Sequence, residues 1–168
     1  MHSFVSSDQA SILQVDDTIW LRLNDERDVT HFTALVCGVE GTPYAHGLYF
    51  FDVTIPSEYP HVPPKVKLLT VDGKTRINPN LYANGKVCLS ILGTWHGPGW
   101  TQCMTIRTVL IQIQTLFNED PLQNEPGFEK RGGAKKSVTS YGFGWGALGG
   151  RKNQDPYQVR QPGVRPFC

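Results

Sequence analysis

LYFFDVTIPSEYPHVPPKVKLLT, residues 48–70, is the stretch whose reading decides the fold. Tyr49, Phe51, Val53 and Ile55 fall on one face and Asp52 and Thr54 on the other, the alternation of a half-buried antiparallel strand. Pro63 and Pro64 cannot both sit in a hydrogen-bonded ladder, so they mark a rigid entry to a further strand, KVKLLT from Lys65. Upstream, TIWLRL from Thr18 and HFTALVCGV from His31 carry the β-branched and aromatic residues of two more strands. The connections NDERD, EGTPYAHG and PSEYPHVPP are short and rich in turn residues, so the spacing predicts a four-stranded meander.

The flanks read differently. Ser6-Ser7-Asp8-Gln9 has the form of a capping box, which predicts a short helical turn or two through Ala10, Ile12 and Leu13. Arg76 to Met104 shows little periodicity, and a loop of that length in a compact domain is usually functional. Ile106, Val109, Leu110, Ile113, Leu116 and Phe117 then recur at helical spacing behind Thr105 as N-cap, a core-facing stripe that ends before Pro121. From Lys130 no period of 2 or 3.6 survives, and eight Gly and three Pro in 39 residues predict a disordered tail.

A chain of 168 residues with 39% hydrophobic and 18% charged residues is sized and composed for one globular domain plus tails. The expected division is 1–17 as a short N-terminal segment, 18–129 as the core domain and 130–168 as the basic, Gly-rich tail. A net charge of +1 conceals an asymmetry: residues 1–129 carry eight Lys and Arg against fourteen Asp and Glu, and residues 130–168 carry eight against one. Tyr141, Phe143 and Trp145 interleave with the tail's basic clusters, a pattern also found in binders of single-stranded nucleic acid, but a solvated end is the plainer reading. No apolar run approaches the roughly 18 residues of a membrane span, and the start lacks a signal-peptide layout, so a cytoplasmic or nuclear location is expected. In such a reducing compartment Cys37, Cys88, Cys103 and Cys168 would be thiols, and without a C-x-x-C pair or matching histidines they form no zinc site.

Cys88 admits three readings. It can be an inert small hydrophobe, which Val87, Leu89, Ile91 and Leu92 around it support. As a metal ligand it lacks partners. As a nucleophile it needs thiolate access and a way to stabilise the oxyanion formed when its thioester is attacked.

The surrounding residues resemble those of the ubiquitin-conjugating (UBC-fold) enzymes. GTPYAHGLYFFDVTIPSEYPHVPPKVKL at 41–68 is similar to that family's strand-turn-strand and Tyr-Pro-x-x-Pro-Pro segment. Asn78-Pro79-Asn80 stands ahead of the cysteine, NGKVCLSIL encloses it, and a tryptophan loop leads to TIRTVLIQIQTLF. NPNLYANGKVCLSILGTWHGPGW and NEPGFE resemble most the group containing ubiquitin-conjugating enzyme Z and the large apoptosis-inhibitor-type enzymes, in which Asn also replaces the usual His of His-Pro-Asn.

The resemblance implies an α+β fold of UBC type, a four-stranded antiparallel sheet with a central helix packed on it. The first helix would be shortened and the C-terminal helices missing. It also implies a transferase that accepts ubiquitin or a ubiquitin-like modifier as a thioester on Cys88, from an activating enzyme, and passes it to a lysine or a ligase. Asn80 would stabilise the oxyanion or hold the loop, and Glu125, with Asn124 as its rival, would orient the incoming lysine. Asn78, Pro79 and Ser90 would shape the loop, Ser90 standing where many members carry an acidic residue. His61, Trp100, Gln102 and Cys103 would form the ligase-docking surface, with Trp95 to Gly99 as an insertion. No metal, nucleotide or organic cofactor is implied, and ATP is consumed by the activating enzyme.

Three departures stand beside this match. The residues before Thr18 include no Lys or Arg, where the family has a basic helix that engages the activating enzyme. His61 and Thr101-Gln102-Cys103 replace apolar ligase-docking residues, and apolar anchors carry much of an interface's energy. After Glu129 the similarity stops where the family continues with one or two helices, which is read as a shortened or spliced product or a mistaken gene model. The competing function is a non-catalytic UBC-variant module that binds ubiquitin or a ligase.

Overall fold

The computed structural model describes residues 12–124. Five strands, β1 (Ile12–Asp16), β2 (Ile19–Asp25), β3 (Asp28–Cys37), β4 (Leu48–Thr54) and β5 (Lys65–Leu68), pair antiparallel in chain order, and one helix, α1 (Ile106–Thr115), follows the long loop. The alternation foreseen in β4 holds: Tyr49, Phe51 and Val53 are buried, with Leu48 and Phe50 exposed. Direct pairing of Phe32 with Val53 and of Ala34 with Phe51 puts the inward residues of neighbouring strands side by side.

The sheet has five strands rather than the expected four. Ile12 and Leu13, expected in a helical turn, belong to β1, where Leu13 pairs with Leu21 and Ile12 with Arg22. Both side chains stay more than half exposed, so backbone pairing with the edge of β2, not burial, fixes their conformation. The capping box Ser6–Gln9, the tail 130–168 and the region expected to lack C-terminal helices lie outside the described residues.

Helix α1 starts as the sequence implies. Thr105 Oγ1 accepts from Thr108 N at 3.3 Å and Thr108 Oγ1 accepts from Thr105 N at 3.2 Å, a reciprocal capping box made by two threonines. Val109, Leu110 and Ile113 are fully buried against the sheet, and the stripe continues past the helix end in Leu116 and Phe117. The Phe117 ring stands 4.4 Å from that of Tyr49 and 4.9 Å from that of Tyr44. Gln114 Nε2 donates to Thr18 Oγ1 at 2.7 Å and Arg107 pairs with Asp16 at 2.9 Å, tying the helix to the β1–β2 side of the sheet.

Among the described residues no helix is long and apolar enough to cross a membrane. Cys88 and Cys103 are free thiols. Cys37 lies at the buried end of β3.

Candidate active site

The loop between β5 and α1 is built from turns and isolated bridges rather than regular elements. Asn78 bridges Leu81, Leu81 bridges Val87, and Lys86 bridges Lys67 on β5, which anchors the loop to the sheet edge. Gly85 makes that anchor possible: its φ is 88°, its carbonyl accepts from Leu68 N at 2.8 Å, and a Cβ there would stand 2.6 Å from Leu68 O. Outside the bridges, the Arg76 guanidinium lies 4.1 Å over the Tyr82 ring and donates to Pro79 O.

Asn78 and Asn80 form a buried relay that ends on the cysteine. Asn78 Nδ2 donates to Tyr44 OH at 2.8 Å and to Leu116 O at 2.9 Å, and Asn78 Oδ1 accepts from Asn80 N at 2.9 Å. Asn80 O accepts from Cys88 N at 2.8 Å, and Asn80 Nδ2 donates to Cys88 O at 2.9 Å. The relay thus runs from the chain just past α1 to the cysteine peptide. The carbonyl partner also fixes the orientation of the Asn80 amide, since turning it over would set two oxygens against each other. Asn80 Oδ1 is buried and has no hydrogen-bond partner among the described residues.

Cys88 sits at the centre of this frame and is 1% exposed. Of the sequence readings, the nucleophilic one needs access and the inert one expects burial; the loop is there, but Val87, Leu89, Ile91 and Leu92 are all drawn into the core and the cysteine with them. Ser90 opens a single 3-10 turn, Ser90–Leu92, closed by Gly93 in the left-handed region. Thr94, which sequence reasoning passed over, bonds the residues on either side of the cysteine: its hydroxyl donates to Val87 O at 2.8 Å and accepts from Leu89 N at 3.0 Å. Its partners are backbone atoms, so no residue pattern could have announced them.

The remaining expected site residues fall into two other groups. Trp100 Nε1 donates to Pro60 O at 2.8 Å, its ring is 5.9 Å from that of Tyr59, and Gln102 Nε2 lies 2.9 Å from His61 Nδ1. His61, Trp100 and Gln102 therefore lie on one surface, and Cys103 beside them is exposed. A groove of about 420 Å³ runs from Pro56 and Val62–Val66 to Leu92 and Thr94, between that proline-rich loop and the cysteine loop. Asn124 lies past α1, its Oδ1 accepting from Asn118 Nδ2 at 3.2 Å, and Glu125 lies outside the described residues. Among the described residues no group of three or more His, Cys, Asp or Glu is placed to hold a metal ion.

Comparison with known proteins follows the same lines. The family described as ubiquitin-conjugating enzyme matches residues 9–137. Ubiquitin-conjugating enzyme E2 Z of Homo sapiens is 52% identical over 107 residues, 63% of this chain and 30% of that protein. Probable ubiquitin-conjugating enzyme protein 17 of Caenorhabditis elegans is 47% identical over 117 residues, 67% of this chain and 16% of that protein. The aligned part of the chain thus spans about a third or less of the length of these relatives. Among solved structures, human ubiquitin-conjugating enzyme E2 G1 superposes with a TM-score of 0.53 at 30% identity, over 61% of this chain and 80% of that one. The E2 domain of a Toxoplasma gondii ubiquitin conjugating enzyme gives 0.52 at 32% identity, over 65% of this chain and 69% of that one.

Proposed function

The chain belongs to the ubiquitin-conjugating enzyme family, and from that premise we propose that it carries ubiquitin, or a ubiquitin-like modifier, as a thioester on Cys88. The observation that carries the reading is the frame around that residue: Asn80 grips both polar groups of the Cys88 peptide, at 2.8 and 2.9 Å. A cysteine that served only as core filler would not need such a frame.

In the charging step the Cys88 thiolate attacks the modifier's C-terminal thioester on the activating enzyme. A new C–S bond forms at Cys88 Sγ, and the activating enzyme's sulfur leaves as thiolate. Exchange of one thioester for another is nearly isoenergetic, so position matters more than strong activation of the thiol. In the transfer step a lysine amine, having lost its proton to solvent or a nearby base, attacks the carbonyl carbon, and Cys88 Sγ departs from the tetrahedral intermediate. The Asn80 amide proton on Cys88 O is committed to the loop, which supports a loop-holding role for Asn80; its other amide proton is the one available to an oxyanion. Trp100, His61 and Gln102 form the surface assigned to a ligase, and Asn124 with Glu125 the region assigned to the incoming lysine. The cytoplasm or nucleus is the compartment in which this partnership operates.

One observation favours a second reading, a non-catalytic module that binds ubiquitin or a ligase: Cys88 is 1% exposed, which leaves its thiol little surface on which to meet an activating enzyme. The experiment that separates the two mixes the purified chain with ATP, ubiquitin and each type of ubiquitin-activating enzyme, followed by non-reducing electrophoresis. The carrier reading expects an added ubiquitin-sized band that disappears with thiol reductant and is missing in Cys88→Ala. Absence of the band for folded protein with every activating enzyme overturns it in favour of the module.

A further inference from the structure

Asn80 holds only half of the backbone around the cysteine. It takes Cys88 N and Cys88 O, whereas the neighbouring Val87 O and Leu89 N go to Thr94. Thr94 reaches them from the far side of the 3-10 turn, and its own amide donates back to Leu89 O at 3.2 Å. Four consecutive backbone groups, from Val87 O to Leu89 N, are therefore claimed by two residues on opposite flanks of the cysteine. Thr94 is itself an exposed residue. Water could satisfy an exposed threonine hydroxyl, so three contacts from it to the cysteine's immediate neighbours are a specific arrangement rather than a packing necessity.

Beyond Thr94 the chain turns back onto the same place. Gly97 has φ 127°, and a Cβ on it would stand 3.1 Å from Ser90 Cβ, two residues after the cysteine. The segment from Thr94 to Gly97 thus starts on the neighbours of Cys88 and returns to Ser90, two residues beyond it.

We propose that Thr94 is a positioning residue for Cys88: its hydroxyl, bridging Val87 O and Leu89 N, keeps the thiol seated and oriented for transfer. This rests on Cys88 being the thioester carrier. Loosening the clamp has two opposite consequences. A thiol that is 1% exposed becomes easier for a small reagent to reach, while the same thiol, once acylated, presents its carbonyl to an amine in fewer productive geometries.

The test uses the full chain as wild type, Thr94→Val and Thr94→Ser, with the exposed thiol of Cys103 as internal reference. Iodoacetamide labelling of Cys88 and Cys103 is followed by peptide mass spectrometry, and discharge of preformed ubiquitin thioester to free lysine is followed over a range of lysine concentrations. Thr94→Val should label Cys88 at least roughly fivefold faster relative to Cys103. Its discharge at saturating lysine should be at least roughly fivefold slower, about the worth of one hydrogen bond, with the half-saturating concentration unchanged. Thr94→Ser, which keeps the hydroxyl, should match wild type within about twofold in both assays. Unchanged labelling and discharge in folded Thr94→Val overturns the proposal, and so does a Thr94→Ser that behaves like the valine variant. If Thr94→Val does not fold, amide exchange decides: a Leu89 N–H as protected as Cys88 N–H in wild type and Thr94→Ser supports the clamp, and an unprotected one overturns it. If wild type forms no thioester, the carrier reading fails while the labelling comparison still tests the clamp.

Discussion

Asn78 and Asn80 differ in what they hold, and their alanine variants should separate stability from activity. Asn78 is 1% exposed and makes three side-chain hydrogen bonds, to Tyr44 OH, Leu116 O and Asn80 N. Removing them strands Leu116 O and Asn80 N in the interior, whereas Tyr44 OH keeps its bond to Ile77 O at 3.3 Å. With about 1 kcal/mol for the bond to Tyr44 OH and about 1–2 kcal/mol for each of the two stranded buried partners, Asn78→Ala should cost about 3–5 kcal/mol. That is a large share of the roughly 5–15 kcal/mol that holds a domain folded.

Asn80→Ala loses one side-chain bond, to Cys88 O, and simultaneously removes Oδ1, a buried oxygen without a partner among the described residues. The change also strands Cys88 O, which the relief at Oδ1 offsets in part, so the expected cost is about 1–2 kcal/mol, below that of Asn78→Ala. Urea unfolding followed by tryptophan fluorescence, compared at equal slope, measures both. Thioester discharge per folded molecule should nevertheless fall further in Asn80→Ala, because Asn80 touches the cysteine peptide directly. An Asn78→Ala variant within 1 kcal/mol of wild type by that estimate, or an Asn80→Ala variant that loses more stability than Asn78→Ala, would refute the reasoning.

Two further outcomes are expected. Gly85→Ala must place a Cβ 2.6 Å from Leu68 O at φ 88° and should cost about 2 kcal/mol or more in thermal or urea unfolding. Gly73→Ala, at φ 75° with open space around it, should lose only about 1 kcal/mol; equal losses would show that the clash at Gly85 is not felt. Asp72 is held down from its ordinary 3.8 to about 2, first by the Thr75 hydroxyl and then by the backbone N–H groups of Thr75 and Lys74. Between those values the unfolded chain binds more protons than the folded one, so stability rises with pH across the window. The contribution is fully present above about pH 4 and lost as pH falls toward 2. Asp72→Asn should flatten that part of an acid-denaturation profile, leaving the slope from Asp25 and Asp28, which are shifted in the same direction; an unchanged profile would show that the Asp72 turn does not persist in solution.

Strands β2 to β5 and α1 were legible because their side chains do the selecting. In β4 each inward position is filled by Tyr49, Phe51 or Val53, and a shift of one residue would turn all of them to water. Strand β1 was not legible for the converse reason. With Ile12 and Leu13 largely exposed, nothing in its side chains distinguishes a strand from a turn of helix, and its conformation comes from the free edge that β2 offers.

The same division runs through the site. Asn78, Asn80 and Cys88 could be picked out by the motif they form, Asn78-Pro79-Asn80 followed by NGKVCLSIL, which resembles that of the family. The apolar neighbours of Cys88 allowed its burial, but the part played by Thr94 could not be read, because it depends on where backbone atoms meet. Val87 O, Cys88 N, Cys88 O and Leu89 N exist in every sequence; only the fold decides which side chain claims them. The frame itself takes only backbone from Val87 and Leu89, whose side chains are buried in the core instead. It should resist change at Asn78, Asn80 and Thr94, whose side chains supply hydrogen bonds that the loop's irregular backbone cannot make for itself.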